Sequence, residues 1–272
     1  MPMDRIGTRS FEDLVDKHSA LHFMKRLAHL GPEGIPAAEE LNRPSQKYVL
    51  CVSIHLSAVR SALAEGHSLA SQVEIPPPES WLREMELDKD KYRQQSLDLF
   101  TIVVHSVLDR TLLLVNAVCD LGILERNCSL RNITRATANP EPSLAAPLSS
   151  LWNAVIPIAD ARNHFAHRGR HREEGTFSAV ARAKVVTRSF DVPTDDVLFN
   201  DAGAVAELLR IMRSDLQSVS QPLIAVLDLL CAPFVSHLKS LGGTDLPTPD
   251  EMVRAEAVLS YFGGGEKPGF MS

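Results

Sequence analysis

The sequence predicts an all-α protein, a helical bundle with long central helices and a helical N-terminal extension. Apolar residues recur at helical spacing over most of the 272 residues. Leucine, alanine and valine dominate the apolar set and aromatic residues make up only 6% of the chain, which favours helices packed through aliphatic side chains. A run of three prolines, Pro76-Pro77-Pro78, forbids a helix at that point and predicts a linker after the extension.

The extension is expected over residues 1–75. Helical spacing predicts one helix over Phe11–Leu30, which Gly31-Pro32 ends, and a second over Tyr48–Ala64. The bundle is expected over residues 79–262, and the glycine-rich residues 263–272 are expected to form a flexible tail.

The central helix of the bundle is predicted over residues 81–124, which contain no proline and only one glycine, Gly122. Three polar residues, Asp109, Arg110 and Asn116, interrupt its apolar stripe. Because charges inside a core normally need partners, the plain interpretation of Asp109 and Arg110 is a structural ion pair. The alternative is that they support a functional site from a second helix.

The elements that follow alternate between loops and helices. A loop over residues 127–147 is expected to contain a short helix at Ser129–Ala138. A helix over Leu148–Arg168 is expected to kink at Pro157 and to end at Gly169. The sequence further predicts a hairpin or ordered loop over Thr176–Phe190, a helical run over Ala204–Ser240 that starts after Asp201 and is interrupted at Pro222 and Pro233, and a last short helix that ends at Phe262.

Composition limits the partners and the compartment. A net charge of −6 means that any polyanion must be met by a local basic patch. The four cysteines form no C-x-x-C pair, and Cys51, Cys119 and Cys231 lie in apolar runs, so buried free thiols in a reducing compartment are expected. The N-terminus has no signal-peptide pattern, and Asp109-Arg110 divides the longest apolar stretch. We expect a cytoplasmic protein that does not bind a membrane.

The segment Arg162-Asn163-His164-Phe165-Ala166-His167 concentrates groups suited to phosphate chemistry at the end of a helix. Arginine holds phosphate in a forked geometry, and histidine gives or takes a proton near neutral pH. Asn163 and His167 lie one turn apart on one face, where the amide can orient the other groups. We predict that Arg162, Asn163 and His167 are catalytic, and that a further set of cationic and imidazole residues binds substrate: His164, Arg168, Arg170 and Arg172.

Two other interpretations of this segment remain open. Asp160, His164, His167 and His171 are spaced as a metal-binding stripe on one helical face; Gly169 and the neighbouring arginines oppose it, and we expect neither a metal nor another cofactor. Alternatively, the arginine and histidine are cations that complement the helix dipole. Arg182, Lys184 and Arg188 would extend the positive patch further along the chain.

The pattern Arg162-Asn163-x-x-x-His167 at the end of a helix in an all-α chain resembles the active-site signature of the HEPN superfamily. The resemblance covers about residues 80–241 and implies a HEPN-like helical bundle. It also implies a homodimer in which two such motifs face each other, and metal-independent RNA cleavage that leaves a 2′,3′-cyclic phosphate. The superfamily includes ribonuclease toxins and anti-phage nucleases, so a regulatory or antitoxin partner is expected.

One departure concerns regulation. In the toxin branch that is paired with nucleotidyltransferase antitoxins, a tyrosine lies two residues after the histidine, where this chain has Gly169. Regulation by nucleotide addition at that position is therefore not expected. The alternative function is a non-catalytic HEPN-like scaffold or sensor that binds a partner or a nucleotide through the basic face of the motif.

Overall fold

The computed structural model describes residues 11–19, 43–168 and 201–242, and over these ranges every regular element is a helix. The first helix, α1, is described over residues 11–19. Two short 3-10 turns lie at Glu125–Asn127 and Pro142–Leu144. The remaining α-helices are α2 (Pro44–Glu74), α3 (Glu79–Glu84), α4 (Lys89–Val118), α5 (Leu130–Thr137), α6 (Ala145–Arg168), α7 (Asp201–Leu229) and α8 (Cys231–Ser240). The all-α fold class is thus confirmed.

The chain divides into two compact units, and both take residues from distant parts of the sequence. The first unit draws on Met1–Ser57, Leu113–Leu144 and Ala225–Ser272, and the second on Ala58–Leu112 and Ala145–Ile224. The extension over residues 1–75, the bundle over 79–262 and the tail over 263–272 remain predictions about domains. The predicted hairpin over Thr176–Phe190 and the last helix that ends at Phe262 lie outside the described residues.

An aromatic cluster forms the core of the first unit. The ring of Phe234 in α8 stacks on Tyr48 of α2 at a centroid distance of 5.5 Å and meets Phe11 of α1 edge-on at 5.9 Å. The Tyr48 hydroxyl donates a 2.7 Å hydrogen bond to the carbonyl of Val118, the last residue of α4. Burial raises the pKa of Tyr48 far above its ordinary value, so the phenol remains a donor. The cluster therefore joins α1, α2, α4 and α8.

The turn after α4 explains Asn116, one of the polar residues in the predicted central stripe. Its side-chain amide donates to the carbonyl of Ile123 at 2.9 Å, and its oxygen accepts from the backbone N–H of Ile123 at 3.1 Å. Between them the backbone reaches positive φ at Asp120 (47°) and Gly122 (64°). Asn116 therefore closes the turn by pairing with both backbone groups of one residue.

In the second unit, α2, α4 and α7 approach closely at Gly66. A Cβ atom placed on Gly66 would lie 3.0 Å from Cδ2 of Leu216 in α7 and 3.5 Å from Cγ2 of Val104 in α4. A Cβ atom at this position would require Leu216 to shift, and both neighbours are themselves fully buried.

The central helix is shorter than the sequence predicts. Instead of one helix over residues 81–124, the short α3 precedes α4, and α4 ends at Val118. The break requires neither proline nor glycine: Glu86 adopts a left-handed φ of 56°, and the Asp88 carboxylate accepts a 2.7 Å hydrogen bond from the backbone N–H of Lys91. Asp88 thus caps the first turn of α4.

The interruptions predicted at Pro222 and Pro233 are also corrected. Pro222 lies inside α7, which continues to Leu229. The break falls at Leu230, and Pro233 is the third residue of α8, where its missing N–H would have no helical acceptor in any case. The predicted short helix at Ser129–Ala138 is confirmed as α5, with the Ser129 side chain accepting from the N–H of Asn132.

The burial of the cysteines and the length of two apolar segments each modify an expectation from the sequence. All four cysteines are free, but Cys51 is exposed rather than buried, and Cys119 and Cys231 are half-buried. Among the residues that the structure describes, two segments, Pro44–Glu74 and Val205–Ser240, are long and apolar enough to cross a membrane by length and composition alone. Core helices pass the same test, so this is weak support for a membrane protein.

Candidate functional site

The candidate catalytic segment lies in the last turns of α6, as the sequence predicts. Arg162, Asn163, His164, His167 and Arg168 all belong to this helix, whose described end is Arg168. The side chains of these five residues are outside the described part of the structure. The other two predicted substrate-binding residues, Arg170 and Arg172, also lie outside the described residues, as do the basic residues Arg182, Lys184 and Arg188.

The first half of α6 is anchored in the core by four residues at spacings of three, four and three: Leu148, Leu151, Val155 and Ile158. Each of these side chains is at most 3% exposed. Burying an aliphatic side chain of this size contributes about 1.5–3 kcal/mol, so the anchored face is held firmly. Pro157 lies inside the helix on its exposed side; the kink that we expect there remains a prediction.

Helical geometry relates the motif to this anchored face. At about 100° per residue, Arg162 returns to within about 20° of Val155, so it occupies the next position of the buried register. Asn163 and His167 fall on a different row, which also carries Trp152 and Ile156. Trp152 is exposed and Ile156 is half-buried. By backbone geometry, Arg162 therefore lies in line with the buried residues of α6. Asn163 and His167 lie in line with residues that are exposed or half-buried in the first half of the helix.

The end of a helix is a favourable place for the charges in this motif. The last turn of a helix has unpaired carbonyl groups and carries the negative end of the helix dipole. Arg162, His167 and Arg168 lie within the last two turns. The dipole at such a helix end would favour a cationic side chain such as that of an arginine. This electrostatic effect would also operate if the residues were only complementing the helix dipole.

The polar residues of α4 have structural partners. The Arg110 guanidinium donates from Nη1 to the backbone carbonyl of Ala58 in α2 at 2.7 Å. Asp109 is largely exposed, and its Oδ2 lies 3.7 Å from Nδ1 of His105, one turn earlier. The predicted ion pair between Asp109 and Arg110 is therefore wrong. The long arginine side chain instead contacts the main chain of another helix, and residue types alone do not predict that partner.

Several cationic side chains of the second unit form ion pairs with glutamates, so they are not available to bind a phosphate group. Arg210 makes two hydrogen bonds to Glu207, at 2.8 and 2.6 Å, which lower the pKa of that carboxyl group. Arg213 pairs with Glu74 at 2.6 Å. The Lys89 ammonium pairs with Glu79 at 2.8 Å and likewise lowers the pKa of its carboxyl group.

The metal-binding interpretation depends on residues of the same motif. The side chains of Asp160, His164 and His167 are not described, and His171 lies beyond the described part of α6. Within residues 11–19, 43–168 and 201–242, no group of three histidine, cysteine or carboxylate side chains is arranged to hold a metal ion.

Comparison with known proteins gives one match. The family model described as HEPN_Cthe2314-like HEPN matches residues 63–220, which is more than half of the chain. The matched range begins within α2, ends within α7 and includes the positions from Arg162 to His167. No curated protein and no solved structure gives a significant match.

Proposed function

The chain belongs to the Cthe2314-like HEPN family, and from that premise we propose that it is a metal-independent endoribonuclease that acts as a homodimer. Membership of a HEPN family supports a nuclease or RNase-like role in general. The finer proposal depends on one observation: the segment Arg162-Asn163-x-x-x-His167 lies at the end of α6, where an arginine, an amide and a histidine are three of the groups that RNA cleavage needs.

The proposed reaction is an internal transfer at phosphorus. The ribose 2′-oxygen attacks the adjacent phosphorus and loses its proton to solvent water, the bond from phosphorus to the 5′-oxygen breaks, and the departing 5′-oxygen takes up a proton. The products are a 2′,3′-cyclic phosphate and a free 5′-hydroxyl. His167 supplies the proton to the leaving oxygen, Arg162 neutralises charge on the phosphate, and Asn163 orients them. No metal or other cofactor takes part in this scheme.

The substrate is single-stranded RNA, and a second copy of the chain completes the site. Each α6 would contribute one motif to a symmetric groove. His164, Arg168, Arg170 and Arg172 would contact the phosphates on either side of the cleaved bond. A local patch of this kind is necessary because the chain carries a net charge of −6 and would otherwise repel a polyanion.

An RNA cleavage assay in EDTA tests the proposal. The wild-type protein should cut RNA, and His167→Ala and Arg162→Ala should each be slower by about 100-fold or more, the usual contribution of general acid–base or charge-stabilising groups. Matched controls are His67→Ala in α2 and Arg83→Ala in α3, two exposed helical residues of the same types. Equal activity in wild type and His167→Ala, with normal folding, would overturn the catalytic assignment.

An enzyme that cleaves RNA must be restrained in its host, so we further propose a cytoplasmic toxin or anti-phage role with a regulatory or antitoxin partner. Unrestrained expression of the wild-type chain should arrest growth, whereas His167→Ala should be tolerated at the same expression level. Normal growth with folded wild-type protein would contradict this role and leave the catalytic proposal untouched.

A second candidate function rests on helical geometry, which brings Arg162 to within about 20° of the buried Val155 around the axis of α6. If that arginine is a structural cation, the chain is a non-catalytic HEPN-like scaffold or sensor that binds a partner or nucleotide through the basic face. In that case Arg162→Ala should unfold the protein at lower temperature, and wild type should show no RNA cleavage under any condition.

A further inference from the structure

We propose that Trp152 is a stacking platform for a base of the RNA substrate, several nucleotides away from the bond that is cut. This inference rests on the proposed function and adds a specificity-determining residue to it. Trp152 lies in α6, the helix that carries the motif, and its side chain is 39% exposed. The chain has only two tryptophans, and this one is on the same helix as the candidate catalytic residues.

The register of α6 places Trp152 in line with Asn163, one residue of the motif. From Trp152 to Asn163 is eleven residues, which is three full turns with a difference of only about 20°. His167 falls within about 60° of the same direction. Ile156, one turn after Trp152, is half-buried and continues the row. The separation along the helix axis is about 16 Å to Asn163, a distance that a few nucleotides of an extended strand can span.

The charge of this part of α6 favours contact with bases rather than phosphates. From Ala145 to Ala159 the helix carries no charged residue. The first one is Asp160, whose carboxylate would repel a phosphate group. On α6 itself, the exposed residues near Trp152 are small or neutral, namely Ser149, Ser150, Asn153 and Pro157. A strand that leaves the basic motif in this direction therefore meets an uncharged surface with one large aromatic ring.

Stacking is the interaction that such a surface offers. Every nucleobase has a flat aromatic face, and base–aromatic stacking is sequence-tolerant and strong enough to matter for binding. A tryptophan indole provides the largest such face among the side chains. Trp152 would therefore hold the strand in register beside the motif and determine how many unpaired nucleotides a good substrate must have on that side.

The test measures binding without cleavage. The probe is a short single-stranded 2′-O-methyl oligonucleotide, which cannot be cut because its 2′-oxygen has no proton to lose. In a Trp81→Phe background Trp152 is the sole tryptophan, so its fluorescence reports stacking directly. We expect the probe to quench this emission, and we expect an abasic oligonucleotide of equal charge not to do so. Trp152→Ala should weaken probe binding by about 5- to 100-fold, and Trp152→Phe by much less.

Kinetics on cleavable RNA give a second readout. Trp152→Ala should raise KM without a matching fall in kcat, and the effect should vanish for substrates too short to reach Trp152. If wild type cuts RNA but Trp152 emission is unchanged and Trp152→Ala has the wild-type KM, this inference fails and the nuclease proposal stands.

Two other outcomes would also overturn the inference. If Trp152→Ala turns a dimer into a monomer on size-exclusion chromatography while Trp152→Phe does not, this face is the contact between two copies. If wild type neither cuts RNA nor binds the probe, the proposed function falls, and the stacking role falls with it.

Discussion

Arg110 of α4 donates a 2.7 Å hydrogen bond to the backbone carbonyl of Ala58 in α2, and this bond joins two helices of the second unit across 52 positions of sequence. The guanidinium is partly buried, so water competes only partly for this hydrogen bond. A cation that could have served a phosphate is thereby committed to the fold.

Replacing Arg110 by methionine should lower the free energy of unfolding by about 1–2 kcal/mol, the range for a hydrogen bond from a charged donor when part of it is exposed. Urea denaturation measures this change. Asp109→Asn is the control on the neighbouring residue: its side chain is 62% exposed and we expect little effect. If Arg110→Met is as stable as wild type but loses RNA cleavage, then Arg110 belongs to the functional site and our structural assignment is wrong.

Gly66→Ala tests the close approach of α2, α4 and α7. Alanine gains about 1 kcal/mol of helix propensity over glycine, but its Cβ would lie 3.0 Å from Cδ2 of Leu216, and overpacking a filled core costs about 1–3 kcal/mol. We expect a net loss of stability. Leu216→Val removes that terminal atom. In the double variant, the loss of stability should therefore be smaller than the sum of the losses in the two single variants. Strict additivity would contradict the contact.

Asn116→Ala should loosen the turn that follows α4. The substitution removes both hydrogen bonds to Ile123, and we expect a loss of about 1–2 kcal/mol in the free energy of unfolding. Asn116→Asp keeps the acceptor but sets a carboxylate against the Ile123 carbonyl, so it should be no better than alanine at neutral pH. Amide hydrogen exchange at Ile123 should accelerate in both variants; unchanged protection there would argue against this role.

Alkaline pH should destabilise the first unit through two acids, the buried Tyr48 and the half-buried Cys119. Burial raises the pKa of Tyr48 far above its usual value near 10, and it raises the pKa of Cys119 to about 12. Because both groups ionise more readily when unfolded, their effect is absent below about pH 8 and stability falls as pH rises through 9 to 12. Tyr48→Phe and Cys119→Ala should each flatten this decline in denaturation curves taken between pH 8 and 11. Curves that stay parallel to wild type would count against burial of the two groups.

Much of the fold follows from apolar spacing. The four buried residues of α6 lie at spacings of three and four in the sequence, and the helix that they predict is present with its described end at Arg168. Ser129 before an apolar position likewise predicts α5. Such features are local, because the residues that form the helix are also the ones that specify it.

Features that the residue types do not by themselves demand were not predictable. The break between α3 and α4 depends on one left-handed residue, Glu86, and on the Asp88 cap, and neither residue type demands that conformation. The sequence shows that Arg110 is a cation, but it does not show which carbonyl group accepts its hydrogen bond. For the candidate site, residue types identify the motif and its helix, whereas the groove that we propose would need a second copy, whose placement is not encoded in the spacing of one motif.

The most direct measurement uses a DNA strand that contains a single ribonucleotide, incubated with the protein in EDTA. The account predicts one cut, immediately 3′ of that ribose, with a 2′,3′-cyclic phosphate on one product and a 5′-hydroxyl on the other. It also predicts that His167→Ala is slower by about 100-fold or more, the contribution expected of a general acid. Cutting at deoxyribose positions, loss of cutting in EDTA, or an equal rate in His167→Ala would each contradict it.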